Sequence, residues 1–266
     1  MQPLIDADIL VYQAAFGGED RETGQIFGFD NVGELIDRSL AEICAAVYAT
    51  ETPKIYLSGG VNFRDEIAVT KPYKGGRKEK PFHYKNARAY IMSLPGAVMT
   101  DGIEADDAMA IEQTSRLHLK DTVICTRDKD LRQVPGYHYG WEHYLQPEFF
   151  VRWVDPFGSL EYDEEKNKLA GTGYLFFCSQ LITGDSVDNI PGLPRKGPKK
   201  AYDTLKDVKT EEEAIIAVAA LYKESFGDFW RDFLLEQGRL LWMVRELDEE
   251  GKPIMWEIPE VLNELR

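Results

Sequence analysis

Cysteine is scarce in this chain: Cys44, Cys125 and Cys178 are the only three in 266 residues, far apart and without a CxxC pair. That spacing excludes a disulfide framework or a thiolate zinc site, and the three read as reduced core thiols of a cytoplasmic protein. The four histidines, His83, His118, His138 and His143, show no zinc-ligand spacing. No apolar run approaches the ~18 residues of a membrane span. The opening MQPLIDADILVY lacks the basic start and cleavage site of a secretory signal. Positive charge is short as well: 31 Lys and Arg against 46 Asp and Glu leave a formal charge of −15, which by itself argues against a polyanionic partner. Apolar residues are plentiful, 44% of the chain with 12% aromatic, enough for a buried core and too much for a disordered tail. The length fits one large domain or two unequal ones, at ~100–200 residues each.

The bases are unevenly spread. Lys71, Lys74, Arg77, Lys78, Lys80, Lys85 and Arg88 stand together with Glu79 as the one acid among them. Arg195, Lys196, Lys199, Lys200 and Lys206 likewise enclose Asp203 alone. A phosphate backbone responds to the field within ~8–10 Å at physiological salt, not to the net charge. Either run alone reads as a solvated loop; two of them, both studded with Gly and Pro, weaken that reading.

Hydrophobic period alternates through the first half. Leu4 to Leu10 predicts a buried strand, residues 32–50 a helix, and Lys54–Leu57 and Ala97–Met99 strands. Residues 105–119 predict a helix and Thr122–Cys125 a fourth strand. Strands alternating with helices predict an α/β fold with a mostly parallel sheet and an active edge at the strands' carboxyl ends. Short strand-like pieces follow Tyr137 as far as Val154, and from Tyr174 the pattern is helical, with long stretches over Glu211–Phe226 and 229–247. A boundary at Ala170-Gly171-Thr172-Gly173 divides residues 1–170 from a helical part, 171–266, that packs on them. Residues 206–266 carry no motif, and Trp230, Trp242 and Trp256 read as packing residues.

Acids gather where this map puts strand ends and helix starts: Asp6 and Asp8; Glu104, Asp106 and Asp107; Asp128 and Asp130; and Asp185 and Asp188, which share a face if helical. Each group alone has an ordinary explanation as a helix-dipole partner, cap or Asx turn. Together at one sheet edge they repel and lose hydration, and a divalent cation is the natural compensation. Oxygen ligands without a His or Cys cluster select Mg²⁺ or Mn²⁺.

The most specific stretch is GDSVDNIPGLPRKGPKKA, residues 184–201. Gly192 and Gly197, interleaved with prolines, predict a tight hairpin between helices whose backbone N–H groups can hold a phosphate beside Lys199 and Lys200. Such a grip holds a backbone without reading bases.

Taken together these segments resemble the 5′ nucleases: flap endonucleases, the 5′-nuclease domains of DNA polymerase I, and phage 5′–3′ exonucleases. Residues 184–201 resemble the helix–three-turn–helix (helix-hairpin-helix) signature of that family, Glu104-Ala105-Asp106-Asp107 its Glu-x-Asp-Asp element, and Asp128-Lys129-Asp130 its Asp-x-Asp after a strand. Asp6 matches the aspartate ending its first strand, and Tyr73-Lys74-Gly75-Gly76-Arg77 the Tyr-Lys-x-x-Arg that opens its helical arch. The matches run in family order over residues 4–205. The resemblance implies a PIN-like (Rossmann-like) α/β fold flanked by helices, with an arch at about residues 62–95 and a helix–three-turn–helix at about 175–206. The short chain and Val61-Asn62-Phe63-Arg64 before the arch lean toward a phage-type exonuclease of the host cytoplasm.

Carried over residue by residue, the resemblance implies two Mg²⁺ (or Mn²⁺). Asp6 and Asp106 would hold the first, Glu104, Asp128, Asp130 and Asp188 the second, with Asp107 and Asp185 around them. Asp106 and Asp128 would be central to catalysis, with Lys74 and Arg77 reaching the scissile phosphate. Tyr73 would stack on a base. Lys78 and the hairpin residues Gly192, Arg195, Lys196, Gly197, Lys199 and Lys200 would grip DNA, with a K⁺ ion at the hairpin. The substrate would be duplex DNA with a 5′ end, flap or overhang, an RNA–DNA hybrid being left open, and the protein a monomer. One departure stands out: where the family has another aspartate after its second strand, this chain reads Leu57-Ser58-Gly59-Gly60, so Asp8 or water would fill the place.

Two other readings remain open. A haloacid-dehalogenase-type phosphatase would use Asp6 as nucleophile, Asp8 as acid/base and one Mg²⁺, but needs neither the Glu-x-Asp-Asp element nor the basic hairpin. A non-cleaving DNA-binding scaffold is suggested by the missing acid at Gly59.

Overall fold

The computed structural model describes residues 1–20, 22–75, 79–144 and 146–264. In chain order its first elements are β1 (Gln2–Asp6), α1 (Ala7–Gly17), α2 (Phe29–Ala46), β2 (Lys54–Leu57), α3 (Phe63–Ile67), α4 (Tyr84–Met92) and β3 (Ala97–Met99). Next come α5 (Ala105–Ser115), β4 (Thr122–Cys125), β5 (Gly136–Gly140) and β6 (Phe149–Val154). The last are β7 (Ser159–Asp163), β8 (Lys168–Thr172), α6 (Gly173–Thr183), α7 (Pro198–Leu205), α8 (Glu211–Phe226) and α9 (Trp230–Leu241). Among the described residues no helix is long and apolar enough to cross a membrane.

The chain forms two compact units. The first comprises Met1–Asn62, Lys78–Leu131 and Gly136–Trp153; the second comprises Phe63–Arg77, Arg132–Pro135 and Val154–Arg266. The division thus falls at Trp153 rather than at residue 170. The reason is the β7–β8 hairpin, absent from the sequence reading, which packs on α6 and α7.

The first unit is built on a six-stranded sheet of order β3-β2-β1-β4-β5-β6, in which β3, β2, β1, β4 and β5 pair parallel. The apolar run from Leu4 does not stay a strand. At Asp6 the side chain accepts the Ile9 N–H and caps α1, so the run continues as a helix. One buried cluster joins Ala7, Val11, Val32, Ile36, Ile55, Leu57, Ala87 and Ile91, and a second joins Ile5, Leu10, Ile43, Val47, Val123, Cys125, Tyr139 and Trp141. Each buried Val, Leu or Ile among them contributes about 1.5–3 kcal/mol.

The second unit is organised around α6, whose residues from Gly173 to Ile182 are all buried, as expected of a helix apolar on every side. It packs on α7, α8 and α9, and Phe177 stacks edge-on against Trp242 at 4.9 Å and beside Trp256 at 5.7 Å. Helix α9 stops at Leu241 instead of running to residue 247. Its last carbonyls are taken by distant donors: the fully buried Arg64 donates to the carbonyls of Leu240 (3.0 Å) and Trp242 (2.7 Å), and Gln133 Nε2 to that of Leu241 (2.9 Å).

Candidate functional site

In an open α/β sheet, ligands sit outside the strands' carboxyl ends where the strand order reverses, which here is between β1 and β4. Asp6 ends β1 at that point and is 2% exposed. Its Oδ2 accepts the Thr126 hydroxyl at 2.7 Å. Thr126, the residue after β4, in turn accepts the Asp128 N–H at 2.9 Å, and Asp128 Oδ1 accepts the Asp130 N–H at 2.8 Å. One row of hydrogen bonds therefore draws Asp6, Asp128 and Asp130 to the switch point. Burial and the neighbouring Asp8 charge raise the Asp6 carboxyl from 3.8 to about 7, so it is fully ionised at neutral pH only when a cation offsets the burial.

Helix α5 brings the next acids. Glu104 and Asp107 form a reciprocal cap: the Glu104 side chain accepts the Asp107 N–H, and Asp107 Oδ2 the Glu104 N–H at 3.2 Å. Asp107 is fully buried, while Asp106 is half-buried in the first turn. Asp8, in the first turn of α1, reaches the end of β2, where its Oδ2 accepts the Ser58 N–H (3.0 Å) and its Oδ1 receives Arg88 (2.9 Å). Arg88 also donates to the Ser58 carbonyl at 2.6 Å. The neighbouring position has no room for a side chain: a Cβ on Gly59 would lie 2.1 Å from the Thr100 carbonyl oxygen. A carboxylate therefore stands at the end of β2 after all, but it comes from α1 and is paired with Arg88.

Among the described residues no three Asp, Glu, His or Cys side chains converge to hold a metal ion. The donors at the switch point are carboxylates throughout, and one of them, Asp6, is buried and short of positive charge. Such a set fits a hard divalent cation that takes one or two carboxylates and keeps several waters.

The second unit carries the other named residues. Asp185 and Asp188 do not share a helix face. Gly184, at φ +68°, ends α6, and Asp185 closes a turn by accepting the Val187 N–H at 2.8 Å and pairing its backbone with Ile190. Asp188 instead meets the segment before residue 76. Its Oδ2 accepts the Tyr73 hydroxyl (3.1 Å), its Oδ1 lies 3.9 Å from Lys74 Nζ, and its carbonyl accepts the Lys74 N–H (3.0 Å). Lys74 holds a left-handed backbone, φ 51°, a conformation that a lysine seldom adopts. Arg77 and Lys78 lie outside the described residues.

The turn from Gly184 to Gly192 that leads into the hairpin needs both glycines, because a Cβ on Gly192 would stand 2.3 Å from the Gly184 nitrogen and one on Gly184 2.3 Å from the Ile190 carbonyl oxygen. Gly192 is buried and gives its N–H to Gln237 Oε1 at 3.1 Å, so it shapes the turn and does not offer that N–H to a ligand, contrary to the sequence reading. Lys196 is half-buried and paired with Glu224 at 3.0 Å. Arg195, Gly197, Lys199 and Lys200 are exposed. Gly197, Lys199 and Lys200 line a cavity of about 380 Å³ with Asn167, Pro198 and Asp203 at the start of α7. The sequence reading missed the roles of Thr126, Ser58 and Gln237. The first two could have been found, since they directly follow strands at the active edge.

No protein-family model matches the chain. Among curated proteins, it is 29% identical over 171 residues to DNA polymerase I of Pseudomonas aeruginosa, covering 61% of this chain and 17% of that protein. It is 29% identical over 145 residues to flap endonuclease Xni of Shewanella halifaxensis, covering 52% of this chain and 53% of that one. With DNA polymerase I of Chloroflexus aurantiacus the identity is 26% over 269 residues, 92% of this chain and 26% of the polymerase. The chain thus spans about half the length of the flap endonuclease and a smaller share of the polymerases. Among solved structures it shares the fold of the bacteriophage T5 5′-exonuclease with zinc bound, at TM-score 0.52 and 14% identity over 90% of this chain and 94% of that one. A T5 flap endonuclease complex with DNA and metal ions gives TM-score 0.51 and 14% identity over 91% and 99%. The α/β architecture with its mostly parallel sheet is the PIN-like one.

Proposed function

We propose that this chain is a member of the 5′ nuclease family, a structure-specific nuclease that hydrolyses DNA phosphodiester bonds at 5′ ends or flaps, a reading its relatives and its fold support. The observation that carries the proposal is the hydrogen-bonded row of Asp6, Thr126, Asp128 and Asp130 at the sheet's switch point. Asp6 and Asp106 would hold one Mg²⁺ or Mn²⁺, and Glu104, Asp128 and Asp130 would serve a second, with Asp107 fixing its neighbours. Such ions, when bound, lower the pKa of an attacking water and neutralise the leaving oxygen.

The chain's own residues do the rest. Thr126 ties the Asp6 carboxylate to the Asp128 backbone through one hydroxyl. Lys74 and Arg77 neutralise charge on the non-bridging oxygens, a preorganised electrostatic task worth a few kcal/mol per donor. Tyr73 offers a stacking face. Arg195, Gly197, Lys199 and Lys200 hold duplex backbone, with K⁺ at the hairpin. The acids serve metal and separate basic segments serve the polyanion, which is how a chain of −15 can be a nuclease. It works as a monomer in the cytoplasm, on DNA with a 5′ flap or overhang, and an RNA–DNA hybrid is a second substrate to try.

The test is a gel assay of 5′-flap and blunt duplex DNA labelled at the 3′ end. Mg²⁺-dependent shortening from the 5′ side, lost with chelator and with Asp128→Ala, is expected. Tight binding without cutting in either Mg²⁺ or Mn²⁺ would replace the proposal with the scaffold reading. Neither binding nor cutting would turn attention to small phosphate esters.

A further inference from the structure

Helix α9 lies where the sequence shows no motif, yet two successive side chains on it hold the two segments proposed to meet DNA. Glu236 Oε1 accepts the N–H groups of Val69 (2.8 Å) and Thr70 (2.6 Å), while its Oε2 accepts the Thr70 hydroxyl. Gln237, 2% exposed, holds the hairpin by accepting the Gly192 N–H. Downstream of Thr70 the same segment is tied a second time: Asn189 Nδ2 donates to the Pro72 carbonyl at 2.9 Å, and the Lys74 N–H to the Asp188 carbonyl at 3.0 Å. Tyr73 and Lys74 are thus suspended between a clamp on α9 and the Asp188–Asn189 turn.

An extended chain spans at most ~3.3–3.6 Å per residue, so the ties at Thr70 and Pro72 lie within about 7 Å of each other. Lys74, with its left-handed backbone and its ammonium 3.9 Å from Asp188 Oδ1, follows directly on these ties. The three donors that meet Glu236 belong to two successive residues, and its neighbour Gln237 fixes the hairpin. One turn of helix therefore sets the spacing between the Tyr73–Lys74 segment and the Gly192 end of the backbone-gripping loop.

We propose that Glu236 is a positioning residue for cleavage, holding the Val69–Thr70 backbone so that Lys74 is presented at the Asp188 turn. The inference rests on the nuclease reading above. Glu236 touches no substrate in this scheme, and its removal acts through Lys74.

The experiment uses the full-length protein with 3′-labelled 5′-flap DNA and Mg²⁺. Single-turnover rates at saturating protein, duplex affinity in chelator and melting temperature are measured for wild type, Glu236→Ala and Glu236→Gln. Displacement of a catalytic group by about 1 Å can lower a rate on the order of 100-fold. Glu236→Ala is therefore expected to lose 10- to 100-fold, roughly, in rate with unchanged duplex affinity, since the hairpin and Gln237 are untouched. Glu236→Gln keeps an oxygen for both N–H groups and an amide to donate to the Thr70 hydroxyl, so it should restore the rate. If wild type cuts and Glu236→Ala cuts equally well, the inference falls and the nuclease reading stands. A loss of rate that merely follows a loss of affinity, and that Glu236→Gln fails to rescue, also overturns it. If wild type does not cut, both fall. Should Glu236→Ala melt early, the rates are read well below its melting temperature, and an unaltered rate there overturns the inference.

Discussion

At Asp6 the Thr126 and Ile9 donors favour the carboxylate, while burial and the Asp8 charge oppose it, and the opposition wins. Because the folded-state value, about 7, lies above the ordinary value of 3.8, the fold binds a proton there that the unfolded chain has released. Without metal, stability therefore falls as pH rises between those two values and levels off above the higher one. Asp6→Asn keeps a carbonyl oxygen for the Ile9 N–H, turns an amide N–H toward the Thr126 hydroxyl oxygen, and carries no charge. Thermal melts in chelator should show the variant above wild type at pH 8, with the gap closing as pH falls toward 4. Mg²⁺ should raise the wild-type melting temperature and leave the variant nearly unmoved. The acids themselves were legible in the sequence because they cluster at strand ends. What joins them was not, since Thr126 lies 120 residues from Asp6 and Arg88 lies 80 from Asp8. Arg88 read only as one more charge in a basic run, and the glycine at 59 read as a missing acid until the Thr100 carbonyl showed why no side chain fits.

Among elements, those that specify themselves matched the sequence reading: β2, β3, β4 and α8 have the bounds their hydrophobic period predicts. Failures occurred where a remote group decides. The β1–α1 junction falls inside one apolar run without a Gly or Pro to mark it, and only the Asp6 cap reveals it. Helix α9 ends early because Arg64 and Gln133 claim its carbonyls. Arg64→Met keeps the aliphatic stem and removes those donors. A buried polar group left unpaired costs about 1–3 kcal/mol, so the variant should lose about 2–4 kcal/mol in urea unfolding followed by tryptophan fluorescence. The nearby Trp242 makes that signal report on the end of α9. The β7–β8 hairpin escaped notice because its strands are short and polar on much of their surface. In the structure its Tyr162 stacks on Tyr202 of α7, 5.6 Å between ring centres.

For the whole molecule, a formal charge of −15 and a grip on DNA are compatible only if binding is local and readily screened. Lys199 and Lys200 are the exposed lysines at the start of α7, although Lys199 also faces Asp203 at 3.5 Å. Removing one lysine that pairs with a phosphate should lower the slope of log affinity against log salt by about 1. Lys199→Ala with Lys200→Ala should therefore flatten that slope by about 2, measured by anisotropy of labelled duplex in chelator. An unchanged slope would place the backbone grip elsewhere.

The two units are interleaved along the chain, and this governs the order in which a ribosome can complete them. The segment Phe63–Arg77 is made early but belongs to the unit finished last. Arg64 finds the Leu240 and Trp242 carbonyls only after another 176 and 178 residues have followed it. Such long-range closures are slow to form because the loop entropy is lost before the pairing rewards it. The segment that carries Tyr73 and Lys74 is thus among the first synthesised and the last fastened, so a nascent chain keeps its basic arm unassembled until residue 242 has emerged.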